Sequence, residues 1–212
     1  PWAAPPHDAM RPEAVIFDMD DVLCRYDLGR RLRALSRITG KMPRDIRAAI
    51  WDSGFEDQAD SGGYPDPEHY LKEFGHRLGH DISRAEWVAA RRDSMQPWPD
   101  MLALAARIGE QARIAIFSNN GPLTKASLSD LFPEATAIFR EHYHSFEFGT
   151  KKPDPRSYAL LLERMELEPR RCWFIDDKRS NVTGARMAGL GAHHFRSREK
   201  LIPELTALGF SA

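Results

Sequence analysis

The stretch Ala14-Val15-Ile16-Phe17-Asp18-Met19-Asp20 is a short apolar run that ends in two carboxylates. Such a run, bounded by polar residues, is typical of a buried parallel strand, and open α/β folds carry their chemistry at the carboxyl ends of these strands. Because alternate residues of an extended chain point to the same side, Asp18 and Asp20 can converge on one small volume. Two carboxylates held together repel unless a cation or a proton lies between them, so the pair is a candidate Mg²⁺ site with a nucleophile and an acid. Asp-x-Asp also commonly ends a strand in a plain turn, so the interpretation depends on the other strand ends.

Further apolar runs predict the remaining strands. They lie at 113–117, at 172–175 and at 191–195, with a shorter one at 143–148. Helical patterns separate them at 122–131, at 155–165 and at 181–188. Strands that alternate with helices predict a parallel sheet covered by helices on both faces, which is a Rossmann-like α/β core.

The segment between the first two of these strands breaks the alternation. No convincing strand occurs from about residue 25 to 97, whereas helical stretches are predicted at 30–39, 43–52, 67–79 and 83–95, with a capping box at Ser83 and Glu86. We expect an inserted α-helical cap, residues 25–97, above the carboxyl ends of the sheet. The core domain would comprise 13–24 and 98–212, after a flexible N-terminal segment 1–12 whose first nine residues lack the charged and apolar regions of a signal peptide.

Three other strand ends carry polar side chains suited to phosphate chemistry. Ser118 and Asn119 follow the second predicted strand, and a hydroxyl beside free backbone N–H groups can hold phosphate oxygens. Lys152 lies in a Lys-Pro-Asp-Pro loop, and the carboxylates Asp176 and Asp177 end another strand. A turn or a solvated lysine would explain each feature alone. Their occurrence together, one at each strand end, indicates a joint phosphate and metal site.

In these motifs the chain resembles the haloacid dehalogenase superfamily of phosphohydrolases. The resemblance runs from about residue 13 to 195 and rests on Asp18-Met19-Asp20-Asp21-Val22, on Ser118, on Lys152 and on Asp176-Asp177. The helical insert is similar to the small cap of the superfamily's largest branch, and 152–189 looks most like sugar-phosphate phosphatases and β-phosphoglucomutase relatives. Asp21 and Val22 stand where the family often has Gly and Thr.

The resemblance implies a two-step phosphoryl transfer. Asp18 would attack phosphorus to form an aspartyl-phosphate, and Asp20 would protonate the leaving alkoxide and later activate water. Ser118, with Asn119, would bind phosphoryl oxygens, and Lys152 would offset negative charge. Mg²⁺ would be held by Asp18, the Asp20 carbonyl and Asp177, with Asp176 in support. The expected activity is Mg²⁺-dependent hydrolysis of a small phosphomonoester, with sugar phosphates among the candidates.

Other activities on the same scaffold stay open. A 2-haloacid dehalogenase would share the Asp18 nucleophile but would need neither the acid at Asp20 nor a full metal site. A phosphomutase of the same branch would need a cap that excludes water. A phosphonatase would need a desolvated amine in the cap, for which Lys41 and Lys72 are candidates. A non-catalytic binding protein would have no reason to retain every reactive group.

The cap is expected to select the substrate. Trp51, Phe55 and Glu56, in a loop-like stretch that runs to about residue 63, and Arg91 are candidate specificity residues, although the aromatic rings are equally typical of a cap core. The cluster Arg30-Arg31-Arg33 is predicted to be a solvated helix face. The pairs His142/His144 and His193/His194 are interpreted as structural, since no third metal ligand is evident.

Composition limits the partners. The formal net charge is −1, which provides no basic surface for nucleic acid, and no apolar stretch approaches the roughly 20 residues that span a bilayer. Cys24 and Cys172 lie far apart in the sequence, which suggests reduced thiols and a cytoplasmic location. The expected partner is a small phosphorylated metabolite, with no nucleic acid and no membrane, and the expected state is a monomer or a homodimer.

Overall fold

A parallel sheet of five strands forms the centre of the structure, a computed structural model that describes residues 11–211. The predicted flexible segment 1–12 falls outside this range except for its last two residues. Including a separate antiparallel pair, the strands are β1 (Ala14–Phe17), β2 (Cys24–Tyr26), β3 (Met95–Pro97), β4 (Arg113–Ser118), β5 (His142–His144), β6 (Cys172–Asp176) and β7 (Gly191–His194). The order in the large sheet is β5-β4-β1-β6-β7, so β1 lies at its centre between β4 and β6.

Helices cover both faces of this sheet and fill the insert between β2 and β3. They are α1 (Leu28–Thr39), α2 (Pro43–Arg47), α3 (Phe55–Asp60), α4 (Pro67–Leu78), α5 (Arg84–Asp93), α6 (Pro99–Gly109), α7 (Pro122–Ala126), α8 (Leu128–Leu131), α9 (Pro133–Ile138), α10 (Pro155–Met165), α11 (Arg179–Met187) and α12 (Arg198–Ala207). A π-helical turn (Ala48–Asp52) continues α2, and 3₁₀ turns occur at Ser145–Phe148 and Pro169–Arg171. No helix within residues 11–211 has the length and apolar character needed to cross a membrane.

Alternation along β1 shows how the sheet is buried. Val15 and Phe17 belong to the apolar cluster that includes side chains of α6 and α12, whereas Ala14 and Ile16 belong to the cluster with α10 and α11. All four are fully buried. A central strand covered on both faces reads as a continuous apolar run, which is why this stretch predicted the fold. The predicted α/β fold class is confirmed.

The insert is helical, as predicted, but its details differ from the prediction. The capping box at Ser83 and Glu86 is present at the start of α5. The segment 51–63, interpreted as loop-like, instead contains a π-helical turn and α3. The prediction that residues 25–97 contain no strand was wrong, because β2 and β3 at the two ends of this segment form an antiparallel pair. Strands of three residues are too short to produce an alternating pattern in the sequence.

Two predictions for the core also need correction. The predicted helix 122–131 is divided at Ser127 into α7 and α8, and the predicted strand 143–148 ends at His144 and continues as a 3₁₀ turn. Ser127 has a φ of −117° and a ψ of 13°, which lie outside the helical region and interrupt the helical backbone. Helical spacing of apolar residues survives such a break, so the sequence pattern does not reveal it.

One apolar cluster joins the insert to the sheet. Phe74 of α4 and Trp87 of α5 belong to the same buried cluster as Leu104 of α6 and Phe139 after α9. Arg84, at the start of α5, also donates a hydrogen bond to the carbonyl of Ala126 at 2.6 Å. The insert therefore packs directly on the core.

Candidate active site

Lys152 lies at the centre of the polar edge of the sheet. Its Nζ lies 2.9 Å from Asp18 Oδ1 and 2.8 Å from Asp176 Oδ2, and donates to the carbonyl of Phe117 at 2.8 Å. These three acceptors use all three donors of an ammonium group. Because the side chain of Lys152 is only 1% exposed, its charge is compensated by the two carboxylates and not by water. Burial lowers the pKa of Lys152, but Asp176 and Asp18 raise it by more, so the ammonium form is retained.

Asp176 is held by the protein on both of its oxygens. Besides the contact with Lys152, it accepts two hydrogen bonds from the Asn181 side-chain amide, each at 3.0 Å, and one from the Lys178 backbone N–H at 2.8 Å. The hydroxyl of Tyr158 donates to the Asn181 carbonyl at 2.7 Å. This network fixes the orientation of Asp176 and, through it, the position of Lys152.

A third carboxylate completes an acidic cluster. One oxygen each of Asp18, Asp176 and Asp177 lies within 4.8 Å of the others, which is a spacing that can hold a metal ion. Within residues 11–211, Asp177 Oδ1 is buried and accepts no hydrogen bond. Burial, followed by the charge of Asp176, raises the pKa of Asp18 to about 8 against the opposing effect of Lys152. Three carboxylates facing one ammonium leave excess negative charge, and a hard divalent cation bound by oxygen ligands would neutralise it. The donor set fits such an ion.

Ser118 ends β4 beside these groups and is held by its neighbour Asn120. Asn120 Nδ2 donates to Ser118 Oγ at 2.7 Å, so the serine hydroxyl acts as acceptor in that bond and its own hydrogen can be donated elsewhere. The Asn119 side chain, by contrast, bonds the Lys152 backbone on both sides, with 2.8 Å to the carbonyl and 3.0 Å from the N–H. The predicted phosphate-binding residues thus lie together, and Asn119 also anchors the Lys152 loop to the end of β4.

Asp20 faces the insert. Its Oδ2 accepts a hydrogen bond at 2.7 Å from Arg91 of α5, whose side chain is 3% exposed. The guanidinium of Arg91 also stacks on the ring of Tyr26 at 4.3 Å and reaches Asn120 Oδ1 at 3.4 Å. The predicted acid and one predicted specificity residue therefore form a direct contact between the insert and the core.

The other predicted specificity residues, Trp51, Phe55 and Glu56, differ in burial and in their contacts. Phe55 is 1% exposed and packs against Tyr64, Tyr70 and Phe74, so it belongs to the aromatic core of the insert and has no ring surface available to a ligand. Trp51 is partly exposed and lies against Arg31. Glu56 accepts a hydrogen bond from the Tyr70 hydroxyl at 2.6 Å.

Sequence reasoning missed several residues of this region. Arg31, predicted to be solvated, is 4% exposed, and Asn181 and Asn120 were not recognised as partners of site residues. His144 is fully buried at the end of β5, and burial lowers its pKa to about 3. The available signal for Asn181 was its position five residues after Asp176, in the first turn of the next helix. Arg31 carried no signal, because arginines on an amphipathic helix usually face water.

Known proteins resemble this chain over most of its length. The sequence profile of the haloacid dehalogenase-like hydrolases matches residues 12–189. A phosphatase of Mycobacterium tuberculosis is 28% identical over 94% of this chain and 96% of its own length. Among solved structures, a HAD family enzyme of Bacteroides thetaiotaomicron, in complex with magnesium and inorganic phosphate, superposes with a TM-score of 0.74 at 19% identity, covering 90% of this chain and 98% of that one.

A second solved structure with the same fold is a dehalogenase. The L-2-haloacid dehalogenase of Xanthobacter autotrophicus superposes with a TM-score of 0.61 at 23% identity, covering 92% of this chain and 82% of the dehalogenase. At these identities the structural matches establish the fold, whereas the family is established by the profile, which spans most of the chain. The protein belongs to the haloacid dehalogenase-like hydrolases.

Proposed function

We propose that this hydrolase is a Mg²⁺-dependent phosphatase that cleaves a small phosphomonoester, with sugar phosphates among the candidates, through an aspartyl-phosphate on Asp18. The observation that carries the proposal is the Lys152 ammonium held between Asp18 and Asp176 at 2.9 and 2.8 Å. An anionic nucleophile that must approach an anionic phosphate needs this positive charge close by.

The first half-reaction transfers the phosphoryl group to Asp18. A carboxylate oxygen of Asp18 attacks phosphorus, and the bond from phosphorus to the leaving oxygen breaks. Asp20 gives its proton to that oxygen, which departs as an alcohol. Ser118 donates its free hydroxyl hydrogen to a phosphoryl oxygen, together with the backbone N–H of Asn119, while Lys152 offsets the charge of the nucleophile.

The second half-reaction regenerates the carboxylate. Asp20 removes a proton from a water molecule, which attacks phosphorus, and the bond from phosphorus to the Asp18 oxygen breaks to release inorganic phosphate. The contact of Asp20 with Arg91 places the acid at the boundary with the insert, where the leaving group would lie. We propose that residues 25–97, with helices α1–α5, form a cap over this boundary.

The residues that would hold Mg²⁺ are Asp18, Asp177 and the backbone carbonyl of Asp20. The buried Oδ1 of Asp177, which has no hydrogen bond among residues 11–211, supports its assignment as a ligand. Both oxygens of Asp176 instead accept hydrogen bonds from Lys152, Asn181 and Lys178. We therefore assign Asp176 the role of positioning Lys152 and not that of a metal ligand. When bound, Mg²⁺ neutralises charge on the nucleophile and the phosphoryl oxygens.

The comparisons support phosphate ester hydrolysis over dehalogenation. The relative from Mycobacterium tuberculosis, which aligns over nearly the whole chain, is named as a phosphatase, and the enzyme from Bacteroides thetaiotaomicron was solved with magnesium and inorganic phosphate. Loss of a halide ion needs no protonation of the leaving group. The positioned Asp20 and the three-carboxylate cluster are therefore explained by a phosphatase and not by a dehalogenase.

The test is phosphate release from a panel of small phosphomonoesters, with added Mg²⁺ or with EDTA. We expect release that requires Mg²⁺ and is abolished in Asp18→Asn. Asp130→Asn, a change of a carboxylate in α8, is the matched control and should retain full activity. Chloride release from 2-chloropropionate, measured in parallel, would detect a dehalogenase. Folded protein that hydrolyses none of the esters, or hydrolyses them equally well in EDTA, would refute the proposal.

A further inference from the structure

Arg31 of α1 is a buried cation with unused hydrogen-bond donors. The residue is 4% exposed, and among residues 11–211 its Nε and Nη2 are buried and bond to nothing. Its one hydrogen bond is long, 3.4 Å from Nη1 to the Tyr26 hydroxyl. A buried guanidinium with unused donors is unfavourable, so these N–H groups need an acceptor that residues 11–211 do not supply.

Two indole rings hold Arg31 in place. The guanidinium carbon lies 5.2 Å from the ring centre of Trp51 and 5.0 Å from that of Trp87. Trp87 is 1% exposed, so this side of the guanidinium is rigid. Aromatic stacking fixes the plane of an arginine while leaving its edge, which carries the N–H groups, free to meet a planar oxygen pair.

Arg31 also lies next to the proposed leaving-group side of the site. Tyr26 connects it to Arg91, since the Tyr26 hydroxyl accepts from Arg31 while the Tyr26 ring stacks on Arg91 at 4.3 Å. Arg91 in turn contacts Asp20 at 2.7 Å. The unused donors of Arg31 are thus two side chains away from the acid that would protonate the leaving oxygen.

Neighbouring groups stabilise the charge of Arg31 but do not accept its unused hydrogen bonds. Burial lowers the pKa of Arg31, and Tyr26 and Glu56 raise it by more. Glu56 accepts a hydrogen bond from the Tyr70 hydroxyl at 2.6 Å and lies outside ion-pair distance of Arg31. Burial, followed by the charge of Glu56, raises the pKa of Asp60 well above its usual range and favours its uncharged form. The Nε of Arg91 and both ring nitrogens of His144 are further buried groups without partners in the part of the chain that the structure describes.

We propose that Arg31 forms a subsite for a carboxylate on the leaving group, so that the substrate is a phosphomonoester of a hydroxy acid. Nε–H and Nη2–H lie on one edge of the guanidinium and match the two oxygens of a carboxylate in a bidentate arrangement. This inference rests on the proposed phosphatase activity and specifies its substrate class.

The test compares esters that differ only in the carboxylate. 2-Phosphoglycerate and glycerol 2-phosphate carry the same phosphate position, with a carboxylate in one replaced by a hydroxymethyl group in the other, and 3-phosphoglycerate and glycerol 3-phosphate form a second such pair. We expect the carboxylate member of at least one pair to have the higher kcat/KM by about ten- to a hundredfold, the range of one charge-assisted bidentate contact.

The variant Arg31→Met should remove this preference. The kcat/KM for the carboxylate ester falls by the same factor, while that for its glycerol partner changes less than about twofold. Arg31→Lys, which keeps the charge but loses the planar fork, should give an intermediate loss limited to the carboxylate ester. Arg30→Met is the matched control: the adjacent side chain is 48% exposed and pairs with Asp93, and its loss should leave both esters unaffected.

The outcomes separate this inference from the proposed function. Equal hydrolysis of both members of each pair, or an equal loss on both in folded Arg31→Met and Arg31→Lys, overturns the subsite and leaves the phosphatase proposal in place. Absence of phosphate release from every ester refutes the phosphatase itself. Circular dichroism and thermal unfolding of each variant establish folding, and Arg31→Lys serves as the deciding variant if Arg31→Met does not fold.

Discussion

Removal of the Lys152 ammonium tests the physical basis of the site. In Lys152→Met, Asp18 and Asp176 lose the cation that lies 2.9 and 2.8 Å from them, and their side chains are only 7% and 0% exposed. At an effective dielectric constant near 20, the ion pair with Asp176 is worth about 6 kcal/mol of attraction, which is partly offset by the cost of burying the lysine. Asp18, whose pKa of about 8 leaves it mostly protonated at pH 7 without a metal, adds less. Truncation of one partner in a buried ion pair typically costs about 3–5 kcal/mol, so we expect a loss of that size in the free energy of unfolding.

The measurement is urea unfolding at pH 7 in EDTA, since a bound divalent cation would replace part of the lost charge. The matched control is Lys151→Met, the adjacent lysine, whose ammonium pairs with Asp57 at the surface, where the aspartate side chain is 69% exposed. An exposed pair contributes about 0–1 kcal/mol. If the free energies of unfolding of the two variants differed by less than about 1 kcal/mol, the buried ion-pair reasoning would be refuted. Phosphate release should be lost in Lys152→Met and retained in Lys151→Met.

Three further predictions follow from particular contacts. Gly184→Ala in α11 should destabilise the protein by about 1–3 kcal/mol and reduce activity, because a Cβ there would overlap the Pro153 carbonyl next to Lys152. His144→Leu should flatten the pH dependence of stability: the folded pKa of about 3 lies below the unfolded value of about 6.5, so the wild type loses about 2 kcal/mol between pH 7 and pH 5 as the unfolded state takes up a proton. Asp177→Asn should weaken Mg²⁺ binding about tenfold or more in calorimetric titration, with little loss of stability.

Each of these has its own check. Gly29→Ala in α1 places its Cβ 3.0 Å from Asp27 Oδ1 and 3.3 Å from Arg33 Nη1, both at the ends of side chains that can move, so urea unfolding should show little change; similar losses at positions 184 and 29 would contradict the packing argument. For His144, parallel pH–stability curves of wild type and variant would exclude a titrating imidazole. Asp21→Asn is the control for metal binding, since an asparagine tolerates the positive φ of 61° at that position; equal Mg²⁺ affinity in Asp177→Asn and wild type would exclude Asp177 as a ligand.

The sheet and the polar strand ends were predictable because they depend on local patterns. β1 and β6 are apolar on both faces and are followed at once by carboxylates, so strand identity and strand end are both visible in the sequence. The predicted residues Asp18, Lys152 and Asp176 are in direct contact in the structure. Parallel strands bring their carboxyl ends to one edge of the sheet, so residues that directly follow different strands lie close together in the structure.

The insert was less predictable because its decisive features are tertiary. β2 and β3 lie at opposite ends of the insert in the sequence and pair with each other in the structure. Neither three-residue segment has a sequence property that identifies its partner strand. Arg31 and Arg30 are identical in type and adjacent in sequence, yet one is 4% exposed and the other faces water. The positions of Trp51, Trp87 and Tyr26 around Arg31 distinguish them, and those positions follow from the packing of α1 on its neighbours.

The apolar cluster shared by the insert and the sheet restricts how new specificities can arise. An insert with a separate core could be exchanged between relatives as a module, with only its two junctions to repair. Here Phe74 and Trp87 pack in one cluster with Leu104 and Phe139, so a foreign insert would have to match the packing surface of the sheet layer as well. Divergence toward other leaving groups is therefore expected to proceed by single substitutions within the resident helices, at positions such as 31, and an engineer should mutate there before attempting domain exchange.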